Sequence, residues 1–270
     1  MATVRAGTIT MGYERQGSGE PLILIPHLAA DHACYAFQVA DYAKHFCCIS
    51  VDLRDTGESD KPAGKYTTQT LADDVAALMQ ALGIDKAHVA GLSLGAATGM
   101  WLAAKYPERV RSLSLHSAWT ATDTYIQTVV GSWQVMASAL GNVTEMLIEA
   151  IFPWCLTPDL YAQKPDYVRS LAEFVRGRPR QPLDAFIRQS DAVLAHDANA
   201  ALSRIVAPTQ ITFGRRDAIT STRFAAPLQT IAKSQLHVFE NCSHAPIYED
   251  AAAFNEATLR FLRNAAAAVA

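Results

Sequence analysis

At 270 residues, half of them apolar and 18% charged, the chain can bury a sizeable core, which excludes a disordered or fibrous protein. A net charge of −3 with no run of lysine or arginine argues against a nucleic-acid or anionic-membrane surface, and no apolar segment approaches the ~18 residues that cross a bilayer. Five cysteines, two of them adjacent (Cys47, Cys48) and none in C-x-x-C spacing, read as reduced core thiols rather than a disulfide framework or a metal site.

The chain opens on short β segments. Thr8 to Glu14 is followed by the turn Gln16-Gly17-Ser18-Gly19 and a buried strand, Pro21 to Ile25. Asp31 is a candidate cap for a helix running to about Lys44, and Phe46 to Asp52 is the next strand. That strand empties into a polar turn, Arg54-Asp55-Thr56-Gly57-Glu58-Ser59; Asp52, Arg54 and Asp55 there read as turn or salt-bridge residues. Thr68 begins an amphipathic helix with Leu71, Val75, Leu78, Met79 and Leu82 on its apolar face, ended by Gly83. A short apolar run, Ala87 to Ala90, then leads through Gly91-Leu92-Ser93-Leu94-Gly95 into a helical stretch that Tyr106-Pro107 stops. Val110 to Leu115 is another strand. Strands alternating with crossover helices imply a mostly parallel sheet covered on both faces.

From about Ala121 to Asn199 the strand signal disappears. Helical patterns cover Tyr125 to Leu140, Val143 to Phe152, Pro158 to Val175 and Leu183 to Ala195. The alternation resumes with a strand at Ile205 to Gly214, and helices from Arg223 and from Ala251 flank a last strand, Gln235 to Phe239. Residues 1–120 and 200–270 thus read as one α/β domain into which 121–199 is inserted as a helical block. Apart from an alanine-rich tail, Ala265 to Ala270, no repeat or low-complexity segment is visible. Met1 to Arg5 lack a signal peptide's apolar core, so a cytoplasmic location is expected and the sequons at Asn142 and Asn241 carry no weight.

The chemistry is concentrated at Ser93. A strand, a sharp turn with serine at its apex and a helix form a G-x-S-x-G nucleophile elbow. A serine in a strained turn crowds the backbone two residues to either side, where Gly91 and Gly95 carry no Cβ. The helix amino terminus beneath it favours developing negative charge. A serine hydroxyl needs a base, and the base needs an anion to hold its tautomer. Asp217 follows the strand ending at Gly214, and His244 follows the strand ending at Phe239, so both fall on loops at the carboxyl edge where Ser93 sits. Asp191 and Asp197 on the helical block compete with Asp217 for the acidic role.

At these residues the chain resembles an α/β-hydrolase over essentially its whole length. Gly91-Leu92-Ser93-Leu94-Gly95, Gly214-x-x-Asp217 and Ser243-His244 match the family's three catalytic segments in order and spacing. It is most similar to small esterases and lactonases of the 3-oxoadipate enol-lactonase kind, and the turn Asp52 to Ser59 also resembles that of aclacinomycin methylesterases. The resemblance implies a helical cap where the insertion lies. It also implies Ser93 as nucleophile, Asp217 as orienting acid, His244 as base, and the N–H groups of Leu28 and Leu94 as oxyanion donors. The family's usual His-Gly reads Pro26-His27 here, so His27 is either a packing residue or an additional donor to substrate. His116, Trp119, Trp133 and Trp154 are candidate substrate contacts, with Phe152 and Tyr161 nearby, although aromatic residues at helical spacing also suit a cap core. Arg176, Arg178 and Arg180 could receive a substrate carboxylate but read more simply as a solvated loop.

The expected activity is hydrolysis of a small, apolar carboxylic ester or lactone through an acyl-enzyme, with no cofactor and no metal. Two alternatives are a C–C hydrolase of ring-cleavage diketones and a non-catalytic ligand receptor on the same fold. A serine perhydrolase fits less well, since Leu94 stands where such enzymes carry methionine. The expected partner is the small-molecule substrate, with neither nucleic acid nor membrane, and the sequence leaves oligomeric state open.

Overall fold

The computed structural model describes residues 1–267; the end of the alanine-rich tail, 268–270, lies outside the described residues. Strand β1 (Ala2–Ala6) pairs antiparallel with β2 (Ile9–Gln16), an edge hairpin of which the sequence signalled only the second strand. Next come β3 (Pro21–Ile25), α1 (Ala36–Tyr42), β4 (Cys47–Val51) and α2 (Thr68–Ala81). They are followed by β5 (Ala87–Leu92), α3 (Leu94–Lys105) and β6 (Val110–His116). Asp31 caps a 3₁₀ turn, His32–Tyr35, which leads into α1, so the expected single helix is two pieces. Thr67 caps α2 with a reciprocal Thr67/Thr70 box.

The eight-stranded sheet runs in the order β1-β2-β4-β3-β5-β6-β7-β8 and is parallel from β4 onward. Successive side chains alternate across it. Ile23 and Ile25 of β3 pack with α2 and α3 on one face, whereas Leu22 and Leu24 pack with Tyr35, Val39, Phe254 and Phe261 on the other. Each face therefore buries a full apolar layer, and the parallel strands read as continuous hydrophobic runs.

Between β6 and β7 (Thr209–Gly214) lie six helices. These are α4 (Thr124–Leu140), α5 (Val143–Met146), α6 (Phe152–Cys155), α7 (Pro158–Gln163), α8 (Pro165–Arg176) and α9 (Leu183–Leu194). A π turn, Leu147–Ile151, joins α5 to α6, and Pro165 splits the long helix expected from 158 to 175, because its ring cannot continue the preceding turn. The insertion is closed at its base by a bridge between Ala121 and Asp197. After β7, Pro227 confines the next helix to α10 (Ala225–Leu228). Strand β8 (Ser234–Phe239), α11 (Pro246–Glu249) and α12 (Ala251–Ala267) complete the chain. Strand β7 begins later than expected because Pro208 has no N–H to give the ladder. No described helix is long and apolar enough to cross a membrane.

Candidate active site

Strand β5 ends at Leu92 and α3 begins at Leu94, so Ser93 alone turns the chain, at φ 54° and ψ −116°. A non-glycine residue held there costs on the order of 1–3 kcal/mol and persists only where its surroundings over-determine it. The flanking glycines supply that condition. A Cβ on Gly91 would lie 2.2 Å from the carbonyl of Gly95, and one on Gly95 would lie 2.1 Å from the carbonyl oxygen of Ile25. The Ser93 N–H donates to the His116 carbonyl (2.9 Å), and Ser93 faces a cavity of about 340 Å³ between the sheet edge and the insertion.

His244 reaches the same cavity from the loop after β8. Its Nδ1 donates to Asp217 Oδ2 at 2.9 Å, and its carbonyl accepts from Ser117 Oγ at 2.7 Å. Asp217, on the loop after β7, is fully saturated. Oδ1 accepts from the N–H groups of Ile219 (2.7 Å) and Thr220 (3.1 Å), while Oδ2 also accepts from Thr220 Oγ1 (2.8 Å). Burial pushes this carboxyl up, but the charge and hydrogen bond of His244 with those of Thr220 and Ile219 outweigh it, so its pKa falls below the usual carboxylate value. The competing acids are engaged elsewhere: Asp191 accepts from Gln134 Nε2 (2.8 Å) and Asp197 from the Asn199 N–H (3.0 Å).

Two backbone donors are unclaimed. Leu94 is the first residue of α3, so its N–H has no intrahelical acceptor, and the Leu28 N–H bonds to no acceptor among the described residues. His27 lines the cavity, but both ring nitrogens are occupied. Nδ1 faces the Leu28 carbonyl (3.0 Å), which can only accept, so Nδ1 carries the proton; Nε2 then accepts from Tyr248 OH (3.1 Å). Burial lowers the ring's pKa to about 4, against a smaller opposing effect of the Leu28 bond, and the ring is neutral near pH 7. His27 therefore has no N–H free for a substrate, which of the two alternatives favours the packing residue over the additional donor.

Trp119 and Trp133, two of the candidate substrate contacts, line the cavity. Two other candidates do not. His116 is on the wrong face: Leu113 and Leu115 of β6 face α3, so strand alternation turns His116 toward α12, where its ring packs on Phe254 at 4.6 Å and Nδ1 bonds Thr212 Oγ1 at 2.8 Å. Trp154 is turned off the wall because Phe152 and Cys155, three apart on α6, hold the cavity side. Tyr161 packs with Leu156 and Leu160 outside the cavity. Of the three arginines only Arg178 reaches the cavity, with Nε 2.9 Å from Asp31 Oδ2; Arg176 pairs with Glu145 and Glu173 on the surface. Asp52, Arg54 and Asp55 are structural: Asp52 holds His32, Arg54 pairs with Asp74, and Asp55 with Arg188. Asp31, His32 and Asp52 are close enough together to ligate a metal, but Arg178 already lies against Asp31 and His32.

Sequence reasoning missed several neighbours of the site. Ile126 and Val130 share with Trp133 a legible i, i+4, i+7 stripe on α4, whereas Tyr248 and Gln189 had no local signal at all.

The profile of the alpha/beta hydrolase fold family matches residues 17–251. The 3-oxoadipate enol-lactonase 2 of Acinetobacter baylyi is 28% identical over 264 residues, covering 94% of each chain. Among solved structures, the enol-lactonase from Burkholderia xenovorans LB400 superposes with a TM-score of 0.85 at 25% identity, over 97% of this chain and 100% of that one. A thermophilic esterase from Thermogutta terrifontis gives 0.86 at 23% identity over 98% of each, a likeness of fold. With the mostly parallel sheet, the serine elbow and a profile match over most of its length, the chain belongs to the α/β-hydrolase family.

Proposed function

We propose that the protein is a serine hydrolase that cleaves a neutral, apolar carboxylic ester or lactone. The observation that carries this reading is the conjunction of Ser93, the His244–Asp217 pair and the unclaimed Leu28 and Leu94 N–H groups around one largely apolar cavity. In this reading His244 Nε2 takes the Ser93 proton as Oγ attacks the carbonyl, and Asp217 holds the proton on Nδ1 and stabilises the imidazolium. Negative charge develops on the carbonyl oxygen, where each backbone donor contributes about 3 kcal/mol to the transition state. His244 then protonates the departing alkoxide. Water, activated by the same ring, attacks the acyl-enzyme carbonyl and releases the acid and Ser93 Oγ. The insertion, 121–199, acts as a cap that keeps bulk water away from the oxyanion.

The substrate class follows from what the wall lacks. Arg178 is the one arginine or lysine on the described wall, and the Asp31 carboxylate, 2.9 Å from its Nε, already offsets its charge, while His27 is bound to Leu28 and Tyr248 and Tyr167 OH to the Tyr248 carbonyl. Trp119, Trp133, Ile126 and Val130 offer dispersion contacts instead. The location consistent with this reading is the cytoplasm, and subcellular fractionation checks it.

Ester hydrolysis tests the reading directly. Wild-type protein should turn over short p-nitrophenyl esters and prefer neutral acyl groups to a hemisuccinate. A fluorophosphonate should label Ser93, and Ser93→Ala should lose at least 10³-fold in kcat with its fold kept. More than a few per cent residual activity in Ser93→Ala, or labelling at another residue, overturns the assignment. Turnover of a ring-cleavage diketone in preference to esters would favour C–C hydrolysis.

A further inference from the structure

The peptide unit between Leu28 and Ala29 is gripped at both of its polar atoms. Its oxygen accepts from His27 Nδ1 (3.0 Å), and its N–H donates to Gln189 Oε1 (2.8 Å). The first grip is local; the second comes from α9, 160 residues away in the chain. Ala29 sits at φ 59°, a left-handed conformation that a residue with a Cβ leaves unless something holds it. Gln189 Oε1 also accepts from Gln181 Nε2 (3.3 Å), which donates in turn to the Asp55 carbonyl (3.0 Å). Asp55 is the corresponding strained residue of the loop after β4, at φ 72°, and the neighbour of Gln189 on α9, Arg188, binds its carboxylate at 2.7 and 3.1 Å. A pair of buried amides and one guanidinium thus fasten the insertion to the two strained loops at the sheet edge.

The orientation of Gln189 is not arbitrary. Ala29 N–H can only donate, so Oε1 must face it, which leaves the fully buried Nε2 with no acceptor among the described residues. A buried amide with half its bonding capacity unmet is costly to carry where a hydrocarbon side chain would pack without that loss. The Leu28 N–H belongs to the preceding peptide, joined to the gripped one through the Leu28 Cα, so losing the Ala29 anchor would free ψ of Leu28 and loosen the turn that aims that donor.

We propose that Gln189 is a positioning residue for the oxyanion hole: it fixes the Leu28 N–H through Ala29, and so makes turnover conditional on the insertion being seated. This rests on the ester-hydrolase reading above. Gln189→Met, of similar length but with no acceptor, should lower kcat about 10- to 100-fold with KM changed less than about 2-fold. The inhibition constant of a trifluoromethyl ketone, which binds as an oxyanion adduct, should rise by the same factor as kcat/KM falls, while that of the matching carboxylic-acid product stays put. Gln189→Glu keeps an oxygen facing Ala29 and should recover most of kcat. If Gln189→Met does not fold, Gln189→Asn serves, since one methylene less cannot span the 2.8 Å contact. Wild-type activity and Ser93 labelling are measured first, so failure there condemns the hydrolase reading alone. With those in place, unchanged kcat in Gln189→Met overturns the proposal. So does a loss of melting temperature without a change in the ratio of the two inhibition constants.

Discussion

Asp217→Asn is the substitution whose effect the geometry predicts most closely. The two carboxylate oxygens of Asp217 do different work: Oδ1 takes the N–H groups of Ile219 and Thr220, and Oδ2 takes the His244 ring and the Thr220 hydroxyl. An asparagine has one oxygen, and the two backbone N–H groups compete for it with the ring. Turning the amide so that its oxygen faces His244 loses two hydrogen bonds and sets an NH₂ against two buried donors, at about 3–5 kcal/mol in total. The oxygen therefore stays on the backbone and the NH₂ faces Nδ1, which must become the acceptor. The ring proton moves to Nε2, and His244 can no longer take a proton from Ser93. At 1.36 kcal/mol per decade, recovering the working tautomer costs between 10² and 10⁴ in rate. Steady-state kcat on a p-nitrophenyl ester near pH 7.5 should fall by that factor, with KM and the circular-dichroism spectrum little changed. Retention of more than about a tenth of wild-type kcat would refute the reasoning, as would an equal loss in Asp191→Asn.

His27→Ala removes the bond to the Leu28 carbonyl, the acceptor of Tyr248 OH and an edge-to-face contact with the Tyr248 ring, which should cost about 2–4 kcal/mol and roughly 5–12 °C in melting temperature. Because the ring is neutral at any pH well above 4, the acid limb of the kcat/KM profile should keep its wild-type midpoint in that variant; a displaced midpoint would mean that His27 titrates in catalysis. Gly95→Ala puts a Cβ 2.1 Å from the Ile25 oxygen and 2.8 Å from that of Pro26, so the exit of β3 must move. We expect about 3 kcal/mol of destabilisation by urea melt, together with at least a 10-fold loss of kcat. Stability should also fall as the pH drops below about 6.5. Burial lowers His116 to about 3 and His196 to about 4, so over that interval the unfolded chain binds protons that the folded one does not. Each ring contributes up to about 1.4 kcal/mol per pH unit, His196 down to about pH 4 and His116 down to about pH 3. His116→Phe should flatten the Tm–pH slope in that window, and an unchanged slope would show that His116 does not contribute.

The linear pattern was enough for the α/β alternation, for a run of helices between β6 and β7, and for setting Ser93, Asp217 and His244 on turns at one edge of the sheet. Each of those rests on local chemistry: period-2 and period-3.6 hydrophobicity, breaks at proline and glycine, and glycines two residues either side of the turning serine. Where the expectation failed, the deciding partner was remote or the facing depended on a neighbour. His116 was close to Ser93 along the sheet, yet its face was set by which of α3 and α12 covers that side of β6. Trp154 is off the wall because Phe152 and Cys155 take the cavity side of α6, a facing that depends on how α6 packs. For His27 the sequence left packing and donor roles open, and the choice turned on the Leu28 carbonyl and on the Tyr248 hydroxyl, 221 residues further on, which occupy both of its nitrogens. Gln189 was one more polar residue on an amphipathic helix until the fold set it against Ala29. Local sequence determines which elements form and what chemistry each loop carries, because those depend on neighbours along the chain. Which side chains complete the site was left to the tertiary structure, because a hydrogen bond joins whatever the packing brings within 3 Å, at any separation in sequence.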